Sequence, residues 1–180
     1  ALFEVKISNG MYTSIVLQNG YLKGDEFFPL HAAVLGKETS LDAQGRVLLP
    51  GFVDMHMHLD KAHSLPQVPN LSGTLQEAIK NYSSSLPTFP EEEIKQRMFK
   101  TALQALANGT TTIRTHIDFD CSMEEDSLFR SLQAAVEVRD ELSPYMDVQV
   151  VPLFSNLDID DMHKMTKIER AFDLEIDAIG

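Results

Sequence analysis

The sequence predicts an α/β protein whose main part is a parallel sheet covered by helices. From residue 50 onward, β-prone runs alternate with runs that repeat apolar residues at helical spacing. Parallel strands need a crossover of a dozen or more residues, which is usually a helix, so this alternation indicates right-handed βαβ units. The chain has 180 residues, of which 43% are hydrophobic, and this is enough to bury a packed core.

Residues 1–49 have a different pattern, in which short β-prone runs are separated by turns. Residues 3–7 and 14–17 are such runs, and Asn9-Gly10 lies between them. Asn-Gly between alternating runs is a strong hairpin signal, since both residues accept the positive φ of a tight turn. A further β-prone run covers residues 46–49. We therefore expect a small antiparallel sheet in this part of the chain.

Helix start signals occur repeatedly in the second part. Thr74 and Glu77 fit a capping box, in which a hydroxyl and a carboxylate satisfy free backbone N–H groups. The same capping role is expected of Thr88, with Pro90 at the first helical position, and of Ser122. The remaining elements are expected as strands over residues 110–119, 148–151 and 176–179, and as a helix over residues 161–172.

Two histidines stand at the end of the first strand of this series. The run reads Leu49-Pro-Gly-Phe-Val-Asp-Met-His56-Met-His58-Leu-Asp60-Lys61. Because side chains alternate across a strand, His56 and His58 point to the same face, close enough to bind one metal ion. Imidazole is a common ligand of Zn²⁺ and Fe²⁺, and a catalytic site needs about three protein ligands, so at least one must come from elsewhere. The alternative is a pair of structural histidines.

Charge and cysteine content exclude several function classes. The net charge of −12 would repel nucleic acids and anionic membranes, so neither is an expected partner. Cys121 is the only cysteine, so no intrachain disulfide can form, and a reducing compartment, the cytoplasm, is expected. No run approaches the roughly 18 consecutive apolar residues that a membrane-spanning helix needs.

The His-X-His run and six further segments resemble one enzyme family. The six segments are His58-Leu-Asp60, Ser72-Gly-Thr-Leu75, Ile94-Lys-Gln-Arg97, Ala107-Asn-Gly109, Arg114-Thr-His-Ile-Asp118 and Asp147-Val-Gln-Val-Val151. Together they resemble the amidohydrolase superfamily and, more closely, its cytosine deaminase branch. The resemblance implies a metal-dependent (β/α)8 (TIM) barrel preceded by a small β-sandwich segment. Residues 1–49 would be the sandwich segment, and residues 50–180 the first strands and helices of an incomplete barrel, because a closed one needs about 250 residues.

The resemblance also implies where the site lies. His56 and His58 would be ligands of one divalent metal ion, Zn or Fe. Asp60, in the loop that follows, would orient the ligands or touch the substrate. His116 and Asp118 share one face of the next strand. They would support the ligands if that face looks into the barrel, and would meet the helices if it does not.

Two positions bear on the substrate. Leu75 aligns with an apolar pocket residue of the cytosine deaminases, and Ser155 aligns with the glutamine that reads the pyrimidine edge in that family. Serine cannot present an amide donor and an amide acceptor in one plane, so the expected substrate is another amino-heterocycle or a cyclic amide. The alternative is that Ser155 is a turn residue after a strand.

These inferences lead to three hypotheses for the protein. The first is hydrolytic deamination of a cytosine-like heterocycle by metal-activated water. The second uses the same site to hydrolyse a cyclic amide or an N-substituted ring. The third is an inactive fragment with an incomplete metal site. The expected partners are a small-molecule substrate and the remainder of the same polypeptide or a homo-oligomer, with the proton-transfer residues expected beyond Gly180.

Overall fold

A computed structural model describes residues 3–9, 11–17 and 46–180. The chain divides into two compact units, Ala1–Pro50 and Gly51–Gly180. Within the described residues, no helix combines the length and the apolarity needed to cross a lipid bilayer.

The described part of the first unit contains a β-hairpin. Strand β1 (Phe3–Ser8) pairs with strand β2 (Met11–Leu17) in antiparallel register, with Ser8 opposite Met11. Asn9, between the strands, has a φ of 50°, which is the left-handed conformation that a tight hairpin turn requires. The hairpin expected at Asn9 is therefore confirmed.

Other expectations for the first unit have different outcomes. The strand expected over residues 46–49 is wrong, because these residues lie outside any helix or strand and are exposed. A β-prone run becomes a strand only where a neighbouring strand takes up its backbone hydrogen bonds. Residues 18–45, the rest of the segment expected to form a β-sandwich, lie outside the described residues.

The second unit is built on a parallel sheet of three strands, as the alternating pattern predicts. The strands are β3 (Phe52–Met57), β4 (Thr110–Asp120) and β5 (Asp147–Ser155), in the spatial order β3-β4-β5. Each strand pairs in parallel with the next, and β4 aligns His116 with Val151. After every strand the chain therefore returns to the same end of the sheet to begin the next strand, and the carboxyl ends of all three strands lie together at the opposite end.

Four α-helices connect or follow these strands. They are α1 (Leu75–Ser85), α2 (Glu91–Ala107), α3 (Glu125–Leu142) and α4 (Met162–Phe172), with a short 3-10 helix at Leu86–Thr88 between α1 and α2. Asn108 and Gly109 end α2 as expected, and Gly109 adopts a φ of 95°. Strand β4 begins immediately afterwards, so this turn sets the amino end of the sheet.

The hydrophobic core lies between the helices and one face of the sheet. On β4, the odd-numbered side chains from Ile113 to Phe119 are fully buried in this core. Their apolar partners come mainly from α2 and α3 and include Ile94, Met98, Ala102, Leu128, Leu132 and Val138. Full burial of a side chain such as Ile117 contributes about 1.5–3 kcal/mol, so this face provides much of the stability of the unit.

The opposite face of β4 carries the even-numbered side chains. His116 and Asp118 are only partly buried, whereas their odd-numbered neighbours are inaccessible. Successive side chains in a strand point to opposite faces, so both residues project away from the helices. The face of β4 that carries His116 and Asp118 is therefore the one that the helices do not cover.

A segment at the end of the chain lies beside β5. The Asp177 N–H donates to the Val150 carbonyl over 3.0 Å, and the Gly180 N–H donates to the Pro152 carbonyl over 3.1 Å. The Val150 N–H donates to the Asp177 carboxylate over 2.7 Å. The strand expected at residues 176–179 is therefore not formed: these residues lie beside β5 but outside any strand, because a side-chain oxygen replaces one main-chain acceptor of a regular ladder.

The helix start signals have mixed outcomes. At α1, the Thr74 hydroxyl accepts the Glu77 N–H over 3.3 Å, which confirms this cap. Thr88 does not cap α2: the N-cap residue is Pro90, two residues later, and the Thr88 hydroxyl donates to the Ser85 carbonyl instead. Ser122 does not cap α3 either: the N-cap residue is Glu124, and the Ser122 hydroxyl donates to the Asp120 carboxylate. Spacing alone therefore placed both helix starts too early in the chain.

We predict that the two threonines differ in their effect on stability. Thr74→Ala removes the acceptor of a helix N-terminal N–H and should lower the free energy of unfolding by about 1 kcal/mol. Thr88→Ala removes no helix cap and should cost less than about 0.5 kcal/mol. Urea denaturation of both variants beside the wild-type protein measures the difference. Equal losses would contradict the assignment of Thr74 as the cap.

Candidate metal and substrate site

Two imidazoles lie together at the carboxyl end of β3. His56 is the second-last residue of β3, and His58 directly follows Met57, the last residue of the strand. Their ring centroids are 5.1 Å apart, and the ring planes are inclined at 81°. The alternation of a strand thus places both rings on one side, as the spacing predicts. What the geometry offers is a pair of nitrogen donors at the edge where parallel α/β sheets hold their ligands.

His116 joins this pair from the neighbouring strand. Its ring stacks on the His56 ring with a centroid distance of 4.0 Å and an interplanar angle of 27°. The centroid distance from His116 to His58 is 6.1 Å. Nδ1 of His116 is buried and has no hydrogen-bond partner. The three imidazoles form one group, which we call the histidine cluster (His56, His58 and His116).

The tautomer of His58 follows from its backbone contact. Nδ1 of His58 lies 2.8 Å from the carbonyl oxygen of His116. A carbonyl oxygen can only accept, so Nδ1 carries the proton and Nε2 keeps its lone pair. Nζ of Lys61 is 3.2 Å from the same Nδ1, but an ammonium group can only donate, so this approach is a contact without a hydrogen bond. A metal-binding histidine commonly has this arrangement, with one nitrogen anchored and the other free.

The surroundings of His58 and His116 favour the neutral form of both rings. Burial lowers the pKa of His58 below its ordinary value of 6.5, and the Lys61 charge lowers it further. Burial also lowers the pKa of His116, and the neighbouring His56 acts in the same direction. Neutral rings are the form that can bind a cation, because the lone pair is then available.

The loop after β3 is held by hydrogen bonds to its backbone. The Leu59 N–H donates to the hydroxyl of Thr115, which is completely buried, over 3.1 Å. The Asp60 carbonyl accepts from the Tyr82 hydroxyl over 2.8 Å and from Arg97 over 3.2 Å. These bonds attach the loop to β4, α1 and α2. They thereby fix the backbone from which the His58 side chain projects.

Charged side chains surround the loop. Nζ of Lys61 lies 3.0 Å from the Asp118 carboxylate and 3.5 Å from the Asp60 carboxylate. Asp60 is 1% exposed, and its Oδ1 has no hydrogen-bond partner. Burial raises the pKa of Asp60, although the Lys61 charge opposes this shift. Lys61 therefore links two carboxylates from different elements at one side of the histidine cluster.

The two residues expected at the substrate are both exposed and lie on other elements than the histidine cluster. Leu75 is the first residue of α1 and is 69% exposed. Ser155 is exposed at the end of β5 and is aligned with Asp120, four residues beyond His116 on β4. At about 3.3 Å per residue, this is roughly 13 Å along the strand. Alternation puts Ser155 on the same face of the sheet as the histidines.

The cluster fits part of a metal site. Within residues 3–9, 11–17 and 46–180, no three His, Cys, Asp or Glu side chains are arranged to hold a metal ion. His56 and His58 supply two imidazoles, and the anchored Nδ1 of His58 leaves Nε2 as a donor. This donor set suits Zn²⁺ or Fe²⁺, which need further ligands to complete a catalytic site.

Sequence reasoning missed the residues that hold the loop. Thr115 reads as an ordinary β-branched strand residue, and Tyr82 as an apolar position of a helix. Arg97 is 7% exposed although arginine is rarely buried, and it contacts the Phe89 ring at 4.6 Å. The position of Arg97 within the apolar stripe of α2 was a signal in the sequence that could have identified this residue.

We predict that Thr115 is required for the loop. Thr115→Val keeps the shape of the side chain but leaves the Leu59 N–H buried without an acceptor, which should cost about 1–3 kcal/mol of unfolding free energy. Thr166→Val, on the exposed side of α4, should cost less than about 0.5 kcal/mol. Urea denaturation measures both. A Thr115→Val protein as stable as wild type would show that the bond does not hold the loop.

Comparison with known proteins gives a family. The amidohydrolase family model matches residues 39–138. The chain is 27% identical over 183 residues to N-isopropylammelide isopropyl amidohydrolase of Pseudomonas sp. (strain ADP), covering 92% of this chain and 44% of that protein. It is 31% identical over 143 residues to an imidazolonepropionase of Mycolicibacterium smegmatis, covering 77% of this chain and 35% of that protein.

A solved structure extends the likeness to the fold. The crystal structure of 5-methylcytosine deaminase from Klebsiella pneumoniae, liganded with 5-fluorocytosine, has a TM-score of 0.77 and 28% sequence identity. The match covers 100% of this chain and 40% of that one, so this chain spans less than half the length of these relatives. The resemblance drawn from the seven motifs is confirmed. Because the family model matches more than half of its residues, this chain belongs to the amidohydrolase family.

Proposed function

We propose that the protein containing this chain is a metal-dependent hydrolase that removes the amino group of a heterocycle. The observation that carries the proposal is the His56 and His58 pair at the end of β3, with Nε2 of His58 free. A divalent ion, Zn or Fe, would supply a hydroxide nucleophile at neutral pH by lowering the pKa of water. Hydroxide attack on the ring carbon that bears the amino group would release ammonia.

The architecture proposed for the whole protein is a (β/α)8 barrel. The parallel order β3-β4-β5 and the likeness to 40% of a deaminase chain support this proposal. Residues 50–180 would then be the first part of the barrel, and residues 1–49 the β-sandwich segment. In such barrels the active site lies at the carboxyl ends of the strands, which is where the histidine cluster is found.

The neighbours of the two ligands would hold them in place. The His116 carbonyl orients the His58 ring, and the His116 ring packs on His56. Asp118 and Asp60 hold the Lys61 ammonium beside the cluster. We propose that His116, Asp118 and Asp60 support the ligands in this way, because residues that orient a metal ligand affect both metal affinity and activity.

The proposed substrate is a small amino-heterocycle other than cytosine. Leu75 would line an apolar part of the pocket, and Ser155 would lie at its rim. The names of the relatives include N-isopropylammelide and 5-methylcytosine, and one further relative, 28% identical over 145 residues, is a pterin deaminase of Rhizobium rhizogenes. These names support a ring substrate with an exocyclic nitrogen as leaving group.

Ring opening is the second candidate. The imidazolonepropionase relatives, one of them 31% identical, support hydrolysis of a cyclic amide with the same two histidines and a different leaving group. The third possibility is that these 180 residues by themselves form an inactive part of such an enzyme. Metal content and activity of the full-length protein beside the 180-residue chain distinguish this case.

We predict that each strand-end histidine is needed for the metal. His56→Ala or His58→Ala in the full-length protein should remove most of the bound metal and reduce turnover by at least about 100-fold, because a ligand is lost. His163→Ala, an exposed residue of α4, should leave both unchanged. Elemental analysis and initial rates provide the measurements. Full metal occupancy in both mutants would refute the proposed site.

We also predict that the reaction releases ammonia. The full-length, metal-loaded protein is incubated separately with 5-methylcytosine, N-isopropylammelide, pterin and imidazolonepropionate, and the products are identified by ammonia assay and mass spectrometry. Loss of an amine or ammonia with an intact ring supports the first proposal. A ring-opened product with no amine release would establish the second candidate in its place.

A further inference from the structure

We infer that Arg97 is a positioning residue of the proposed site, which holds the Asp60 carbonyl together with Tyr82 and thereby keeps His58 in place. Arg97 lies in the apolar stripe of α2 and is 7% exposed. The inference rests on the proposed function, and it extends the support of the metal ligands to a residue of α2.

The Arg97 guanidinium reaches two different elements. One terminal nitrogen, Nη1, donates to the Glu93 carboxylate over 2.7 Å, and Glu93 lies one turn earlier on the same helix. The other, Nη2, donates over 3.2 Å to the Asp60 carbonyl in the loop after β3. The centre of the Phe89 ring lies 4.6 Å from Cζ, so the guanidinium also packs on an aromatic face. The first bond therefore fixes the arginine on α2, and the second joins α2 to the loop.

Packing alone does not account for an arginine at this position. Nε of Arg97 is buried and has no hydrogen-bond partner in the part of the chain that the structure describes. An unpaired buried donor costs free energy, and an apolar side chain of similar volume would fill the same space without that cost. The compensating feature is the bond to the Asp60 carbonyl, which an apolar residue could not make.

The Asp60 carbonyl is fixed from two directions. It accepts from the Tyr82 hydroxyl over 2.8 Å as well as from Arg97, so both of its lone pairs are used. Burial raises the pKa of Tyr82, so its hydroxyl keeps the proton that it donates. Two donors from different helices define the direction of this carbonyl, and with it the course of the backbone at Asp60.

Only one residue separates this carbonyl from His58. The Leu59 N–H between them is bonded to a threonine of β4, and Nδ1 of His58 lies 2.8 Å from the His116 carbonyl. The backbone from His58 to Asp60 is therefore held at consecutive points by β4, α1 and α2. Loss of the Arg97 bond would let this backbone shift, and a displaced ring would no longer present Nε2 in the same direction.

The test separates the two contacts of the Arg97 guanidinium. Arg97→Lys keeps the positive charge beside Glu93 but lacks the planar fork that reaches two partners in different directions. Glu93→Gln, the matched control, weakens the ion pair on α2 and leaves the donor to the Asp60 carbonyl. Metal-free full-length protein is titrated with Zn²⁺ against a competing chelator, and the absorption spectrum of its Co²⁺ form is recorded.

The two variants should differ in metal binding. Arg97→Lys should bind Zn²⁺ roughly 10- to 100-fold more weakly than wild type, and its Co²⁺ spectrum should change, because a ligand has moved. Glu93→Gln should keep the wild-type affinity and spectrum. Both should lower the urea midpoint of the metal-free protein, so a role limited to stability would change the midpoints without separating the two variants in metal affinity.

Tyr82→Phe keeps the inference testable if Arg97→Lys fails to fold. It keeps the ring and removes the second donor to the Asp60 carbonyl, so it should weaken Zn²⁺ binding in the same direction. Tyr145→Phe, at an exposed tyrosine, is its control and should match wild type.

The outcomes distinguish this inference from the function on which it rests. Wild-type affinity and an unchanged Co²⁺ spectrum in Arg97→Lys, or in Tyr82→Phe where Arg97→Lys does not fold, would overturn the role of Arg97 and leave the hydrolase proposal standing. Equal losses of affinity in Arg97→Lys and Glu93→Gln would also overturn it, since the Asp60 bond would then not be the cause. Wild-type protein that binds neither Zn²⁺ nor Co²⁺ would overturn the proposed function, and the inference with it.

Discussion

The backbone of residues 58–60 is the constraint on which the site depends. Leu59 is bonded to a threonine hydroxyl inside β4, and the Asp60 carbonyl is bonded to a tyrosine of α1 and an arginine of α2. These groups are buried, so each bond would be costly to break, and a loop that would otherwise move is tied to three elements. His58 belongs to this segment, and the hydrogen bond between its Nδ1 and the His116 carbonyl fixes the orientation of the ring as well.

Strand β4 contributes one face to the hydrophobic core and the other face to the candidate site. Its odd-numbered side chains from Ile113 to Phe119 are fully buried under the helices, which gives the sheet a rigid support. Its even-numbered side chains, His116 and Asp118, are thereby held opposite His56 and Lys61. A well-packed core face keeps the geometry of the other face within narrow limits, because close-packed interiors resist small displacements.

The surroundings of the site favour neutral imidazoles. Burial lowers the pKa of both His58 and His116, and a neutral ring has a lone pair available. The Lys61 charge is compensated by Asp118 and Asp60, and the chain as a whole has a net charge of −12. The negative charge of the chain would attract a divalent cation to the proposed site.

The sequence by itself determined the α/β class, the hairpin at Asn9, the cap at Thr74 and the common direction of His56 and His58, because these follow from local periods and turn chemistry. Tertiary structure decided the rest. Alternation places His116 and Asp118 on one face of β4, but only packing against the helices shows which face that is. Thr88 and Ser122 have capping spacing, yet their helices begin later, with Pro90 and Glu124 at the N-cap positions. Partners that are distant in sequence, such as Leu59 with Thr115 or Asn156 with Asp120, become neighbours only when the parallel strands align, since a sequence pattern records periodicity and not register.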